Sequence, residues 1–303
     1  MALADLLTTT IVPIPGERPR DDELDLFGLT HRGKVRKENQ DHFLLATVHP
    51  RVVVHGTSLP APEELPLMGQ RLATILLVAD GVGGGTGGGE ASQVTVEAIA
   101  RYVSSTLRCY HAAGSHKDDE FLEELRAAAS EAHAAVKARS APIGGRVMAT
   151  TLTLGIVVWP WMYVVQVGDS RCYYYWDGAI TQVTRDQTVA QDLVDLGVLP
   201  ADRARQSPYY NVLARAIGSD VATPEVTRLD VRRRGSVALL CSDGLTKHVA
   251  DDEIAEHIRA MDSSEQLCRA LLDLALERGG RDNITVLAGR ARPRADATSA
   301  ARS

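Results

Sequence analysis

Two apolar stretches of this chain each run straight into an Asp-Gly pair. Leu76-Leu77-Val78-Ala79 precedes Asp80-Gly81, and Ala238-Leu239-Leu240-Cys241-Ser242 precedes Asp243-Gly244. A short continuous apolar run bounded by a glycine loop reads as a strand covered on both faces, so each run sets a carboxylate at the end of a buried strand. Asp282-Asn283 stands just before the pattern Ile284 to Ala288, and Asn39-Gln40-Asp41 just before the run at 42 to 48. One Asp-Gly pair alone is ordinarily a turn. Two buried strands that both end this way, with Arg-Asp-Asn-Ile-Thr opening a third, call for a fold that collects strand ends at one edge. Hard divalent cations need oxygen ligands gathered from distant segments, and the sequence has no softer-metal pattern.

Apolar, β-rich runs recur at 42 to 48, 51 to 55, 72 to 79, 150 to 158, 162 to 167, 171 to 176, 236 to 241 and 284 to 289. Most are too short and too branched for helices. Helical composition fills 90 to 111 and 118 to 139, then 186 to 195 and 208 to 216, then 251 to 259 and 264 to 277. Strands in groups, helices in pairs and several direct strand-to-strand steps predict antiparallel sheets covered by helices rather than a doubly wound parallel sheet. Residues 1 to 25 lack any sustained period and are expected to form a flexible arm. One domain is expected over 26 to 290, with a disordered tail at 291 to 303 rich in Arg, Ala and Ser. The Pro- and Gly-containing segment 56 to 69 reads as a surface loop.

With 33 basic and 39 acidic residues the formal charge is -6, and 45% of the 303 residues are apolar. That balance fits a globular protein and argues against a nucleic-acid or anionic-membrane partner, which would require a basic patch. The triplet Arg232-Arg233-Arg234 reads as a solvated turn. Cys109, Cys172, Cys241 and Cys268 have neither zinc spacing nor the density of a disulfide framework, so they are expected to be reduced and buried. The N-terminus has no basic region followed by an apolar run, and the expected location is the cytoplasm.

The glycine-rich stretch from Gly81 to Gly89 invites comparison with a phosphate-cradling P-loop. It lacks the Gly-Lys-Ser/Thr ending, and Asp80 would repel phosphate unless metals intervened. Its expected role is to pass close to the Asp80 site and start a helix at Glu90, whose charge suits a helix N-terminus.

Taken in order, the motifs resemble those of the type 2C family of metal-dependent protein serine/threonine phosphatases, in its compact bacterial branch. They are Thr30-His31-Arg32-Gly33 with Arg36 and Asn39-Gln40-Asp41; Val78 to Gly84; Thr150-Thr151-Leu152; Val167-Gly168-Asp169-Ser170-Arg171; Asn211 with Arg215 to Gly218; Cys241 to Leu245; and Gly280 to Thr285. The resemblance runs from about Phe27 to Ala288. It implies an α+β, four-layer α/β/β/α sandwich of two antiparallel sheets flanked by helix pairs, with a manganese or magnesium pair at one end. It also implies hydrolysis of phosphoserine and phosphothreonine in proteins, the substrates of a bacterial Ser/Thr kinase. A monomer is expected, and the charge balance adds no nucleic-acid or membrane partner.

Carried over by position, Asp80 resembles the carboxylate that bridges both metals, with the Gly81 carbonyl as a further ligand. Asp243 and Asp282 resemble the remaining direct ligands, and Asp41 an acceptor for water around the metals. Asp169 resembles a residue that helps hold a third, weaker ion with Asp243, and Arg36 the phosphate binder. Two close cations activate water and neutralise phosphoryl oxygens, and a guanidinium fork matches two of those oxygens. No Gly-x-Ser-x-Gly elbow is present, in keeping with direct attack by water and no phosphoenzyme. Asn283 either holds the Asp282 loop or caps the backbone locally.

The chain departs from the pattern at Gln40, where many relatives carry Glu, at Val82, where some carry His, and at Ala149, where Gly is usual. His31 and His42 are expected to be structural or surface residues. The stretch 187 to 218 resembles the flap beside the bacterial cleft, where Tyr209 and Tyr210 either contact a phosphopeptide or anchor the flap. Two other functions remain open on sequence alone: a noncatalytic phosphoprotein-binding module, and a hydrolase of small phosphate esters.

Overall fold

The computed structural model describes residues 17–51, 54, 68–83, 87–112, 118–140 and 148–292. Strand β3 (Ala73–Ala79) is buried along all seven residues. The reason lies in its two faces. Ile75, Leu77 and Ala79 pack toward helices, whereas Leu76 and Val78 meet residues of a second sheet, including Cys172, Tyr174, Leu240 and Leu287. Because side chains alternate along a strand, a strand covered on both sides is apolar almost throughout, and the polar side chain of β3, Thr74, is itself buried.

Two five-stranded antiparallel sheets make up the centre. With β1 (Leu24–His31), β2 (His42–Val48), β4 (Gly81–Val82), β5 (Ala149–Thr150), β6 (Leu152–Val158), β7 (Trp161–Val167), β8 (Arg171–Trp176), β9 (Ala179–Gln182), β10 (Glu225–Asp230), β11 (Val237–Cys241) and β12 (Ile284–Ala291), the orders are β1-β12-β11-β8-β9 and β10-β7-β6-β3-β2. The short pair β4-β5 continues past the end of β3. Helices α1 (Gly87–Ala112) and α2 (Asp118–Ser140) cover the β3 sheet. On α2 the covering residues are Phe121, Leu125, Ala128, Ala129, Ala132 and Val136, one apolar stripe at helical spacing. Phe121 meets Tyr163 edge to face, 4.8 Å between centroids. The other sheet is covered by α5 (Asp251–Arg259) and α6 (Ser264–Glu277) through Ile254, Ile258, Leu267, Leu271 and Ala275. Each fully buried Leu or Ile in these layers contributes about 1.5–3 kcal/mol. The expected four-layer α+β sandwich is the architecture found.

Several elements differ from expectation. No helix forms at 208 to 216. Leu213 instead bridges Thr188, with Val189 N–H donating to Val212 O (2.8 Å) and Ala214 N–H to Gln187 O (2.9 Å). Backbone groups that find partners in a neighbouring segment have no need of a helix. The preceding helix, α3 (Val189–Asp195), starts later than the expected 186, at the cap Thr188, whose side chain accepts from Gln191 N–H. Strands β1, β9 and β10 were not expected. In β1 the apolar pattern is broken by Asp25, a buried carboxylate that accepts from Arg290 Nε and Ser264 N–H. Strand β1 begins at Leu24, just before the domain boundary expected at 26. Residues 1–16 of the arm, 293–303 of the tail and nearly all of the strand and loop expected over 51 to 69 lie outside the described residues.

The register brings the distant motifs to one edge. His42 pairs with Ala79, His31 with Ile284, and Cys241 with both Arg171 and Val286. Residues 41, 80, 169, 243 and 282 therefore follow or precede strands that stop together.

Candidate metal centre

Asp80 is held by its own backbone. Its N–H donates to Thr151 Oγ1 (3.0 Å), and its carbonyl accepts from Thr151 N–H (2.9 Å) and Thr150 Oγ1 (2.8 Å). Gly81 follows with no room for a side chain: a Cβ there would lie 2.5 Å from Gly88 backbone atoms and 2.8 Å from Gln40 O. Gly244 is tighter still, since a Cβ would lie 1.9 Å from Asn283 O. Neither glycine has a positive φ, unlike the hairpin pair Asp177-Gly178 between β8 and β9 (φ 50° and 81°). The two Asp-Gly pairs of the site are thus places of close backbone approach, and the third is an ordinary type of tight turn.

Asp41 is buried, and its Oδ2 accepts from Thr285 Oγ1 (2.7 Å) and Ser242 Oγ (2.8 Å). Its Oδ1 has no partner, and neither has Asp243 Oδ1. Asp169 sits in the β7–β8 turn, where Gly168 (φ 110°) packs against Thr151 and exchanges hydrogen bonds with Gln187. Arg171 does not pair with Asp169. It forms a two-pronged bond with Asp186 (2.8 and 2.7 Å).

Asn283 decides between its two expected roles. Its Nδ2 donates to Arg32 O and Glu38 O (2.9 Å each), and its Oδ1 accepts from Gln40 N–H (2.9 Å). One side chain thereby ties the start of β12 to the loop that carries Arg36 and Asp41. His31 accepts from Gly33 N–H, and His42 bonds Ser92 Oγ, so both serve local structure. Tyr209 is half exposed, and Tyr210 lines a small cleft with Asp169, Asn211, Asp243 and Lys247.

Electrostatically the carboxylates act as one group. Burial raises the Asp80 pKa well above its ordinary value, and the charges of Asp41, Asp243, Asp169 and Asp282 add to the rise. Burial likewise raises Asp169, with Asp243 and Asp186 contributing, and raises Asp243 against the opposing pull of Lys247. Asp41 is pushed up to about 6, by burial first, with Thr285 and Ser242 resisting. Asp282 is the exception. Partial burial works against its charge, but hydrogen bonds from Arg36 and Lys247 outweigh that and lower its pKa.

Lys247 was not singled out by the sequence. Its Nζ lies 2.6 Å from Asp243 Oδ2 and 2.8 Å from Asp282 Oδ2, and Arg36 grips Asp282 through Nε (2.7 Å) and Nη2 (2.9 Å). The available signal was spacing, because Lys247 is four residues beyond Asp243. Among the described residues no three His, Cys, Asp or Glu side chains converge as a ready ligand set. The chemistry of the cluster still fits a hard cation: the donors are all oxygen, two buried carboxylate oxygens lack partners, and the carboxylates raise one another's pKa.

The chain is similar to several known proteins. A family model described as Protein phosphatase 2C matches residues 68–277. The serine/threonine protein phosphatase PstP of Mycobacterium tuberculosis is 34% identical over 218 residues, 71% of this chain and 40% of that protein. The chain thus spans well under half of the length of that relative. The crystal structure of the Mycobacterium tuberculosis phosphatase PstP/Ppp superposes with a TM-score of 0.71 at 28% identity, covering 89% of this chain and 99% of that one. A PstP catalytic domain solved in complex with two manganese ions gives a TM-score of 0.67 at 28% identity, over 89% and 99% of the two chains. The chain belongs to the protein phosphatase 2C family, in its bacterial, PstP-like branch. Among the described residues no helix is long and apolar enough to cross a membrane.

Proposed function

We propose that this protein is a metal-dependent phosphatase of phosphoserine and phosphothreonine in proteins, working by direct attack of water without a phosphoenzyme. One observation carries the reading: five carboxylates from separate segments share a single strand-end edge, with unpartnered oxygens on Asp41 and Asp243 and Arg36 at the rim. The PstP catalytic domain solved with two manganese ions supports a pair of divalent ions at this edge; here the pair would be manganese or magnesium, and a third, weaker ion would sit beside Asp169. When bound, the ions would supply an activated water and positive charge for the phosphoryl oxygens.

Asp80, the Gly81 carbonyl, Asp243 and Asp282 would hold the pair, and Asp169 with Asp243 the third ion. Asp41 would use its free Oδ1 to accept a hydrogen bond from water in the site, its other oxygen being fixed by Thr285 and Ser242. Arg36 is about half exposed at the side chain and would turn its fork from Asp282 to the substrate phosphate. The expected substrates are phosphoproteins made by a bacterial Ser/Thr kinase, in the cytoplasm, where the buried free thiols of Cys172, Cys241 and Cys268 would persist. Phosphate release from a phosphothreonine peptide tests the reading. It should depend on manganese and fall by orders of magnitude in Asp80→Asn; full activity in excess chelator would reject it.

A further inference from the structure

Lys247 lines the cleft and has no place in the proposed reaction. It lies just past the short helix α4 (Asp243–Thr246), one turn from Asp243, and its ammonium bridges Asp243 and Asp282. Those two carboxylates come from segments joined only through the fold, at the ends of β11 and β12. With Arg36 also on Asp282, every oxygen of Asp282 is engaged by a cation of the protein itself. A divalent ion that used the same oxygens would stand within a few ångströms of the ammonium, where like charges strongly repel. Lysine is suited to yield: its stem is flexible, its charge is a compact point, and its side chain is 27% exposed, so solvent is within reach.

We propose that Lys247 is an internal counter-cation of the metal-free cleft, which an incoming divalent ion must displace from Asp243 and Asp282 and which thereby sets the protein's metal affinity. This rests on the metal-dependent reading above. Lys247 is a positioning residue. In the metal-free protein it keeps two mutually repelling carboxylates together, so that the cleft is preformed. In the metal-loaded protein it has swung toward solvent. The charge count leaves room for ions: Arg36 and Lys247 offset two charges among Asp41, Asp80, Asp169, Asp243 and Asp282. The arrangement exchanges some affinity for a folded metal-free state.

The test is calorimetric titration of manganese into metal-free wild type, Lys247→Met and Lys247→Arg, together with thermal melting of each before and after metal. Lys247→Met should bind manganese at least about tenfold more tightly, because a unit charge beside the ion is gone. Its metal-free melting temperature should fall, and its rise on adding manganese should exceed that of wild type. Lys247→Arg, which keeps the charge, should stay near wild type in both. Should Lys247→Met fail to fold without metal, Lys247→Gln is purified loaded and stripped by graded chelator; it should need more chelator than wild type for half-release. Equal or weaker manganese binding in the neutral variants would overturn the role of Lys247 while leaving the metal site standing. Absence of manganese binding in wild type and variants alike would instead overturn the metal reading itself.

Discussion

Replacing Gly244 by Ala isolates the close approach on which the site geometry depends. Gly244 lies in α4 without a positive φ, so alanine suits its backbone and would favour the helix by up to about 1 kcal/mol. The added methyl, however, would sit 1.9 Å from Asn283 O, and ordinary contact begins near 3.4 Å, so the two segments must part by about 1.5 Å. Overpacking of this kind costs about 1–3 kcal/mol, which cancels or exceeds the helical gain. The net loss, up to about 2 kcal/mol, corresponds to a fall in Tm of roughly 4–8 °C for a domain of this size. The functional effect should be larger than the stability effect, because the displaced segments carry Asp243 and Asp282. A misplacement of about 1 Å can lower a rate by about a hundredfold. Urea unfolding gives the first quantity and phosphatase assays at saturating manganese the second. Gly89→Ala is the matched control, since its Cβ would meet Gln40 only at 3.7 Å and should be neutral in both. Wild-type activity in Gly244→Ala would refute the claim that this contact sets the spacing of the two carboxylates.

Other consequences are equally open to measurement. Asp41, at about 6 in the fold against an ordinary 3.8, lends stability that is fully present below the unfolded pKa and is lost as pH rises through about 6. Metal-free protein should therefore be more stable at pH 5 than at pH 7.5, by roughly 1–1.5 kcal/mol if Asp41 acted alone. Melting curves in chelator should show this, and stability rising over that interval would contradict it. Asp169→Ala should retain two tightly bound ions yet lose activity at moderate manganese, with partial recovery at high manganese; unchanged activity at every concentration would make Asp169 purely structural. Arg36→Ala should keep manganese binding by calorimetry while raising KM for a phosphopeptide about tenfold or more, the effect of losing a charge-assisted fork. Loss of metal binding would show that Arg36 organises the site instead.

The parts of the fold visible in the sequence were those in which burial dictates residue type on both faces. The runs ending at Ala79 and Cys241 could scarcely be anything but central strands, and the acids that follow them lie at a common edge for that reason. Strand β1 was hidden because Asp25 breaks its pattern, and a buried charge is tolerable only through partners such as Arg290 and Ser264 that no local reading reveals. Residues 208 to 216 have helical composition, but pairing with the 187 to 190 segment takes their backbone groups. Within the site, the carboxylates and Arg36 were legible as residue types. The ties made by Asn283, the two hydroxyls on Asp41 and the Lys247 bridge were not, because each joins segments distant in sequence.

Manganese-edge anomalous diffraction from crystals grown with the ion tests the central claim most directly. The account predicts two strong peaks bridged by Asp80 and bounded by Asp243 and Asp282, a weaker one beside Asp169 at high manganese, and Lys247 Nζ withdrawn from both carboxylates. Crystals of active protein with no peak within bonding distance of Asp80 would contradict it.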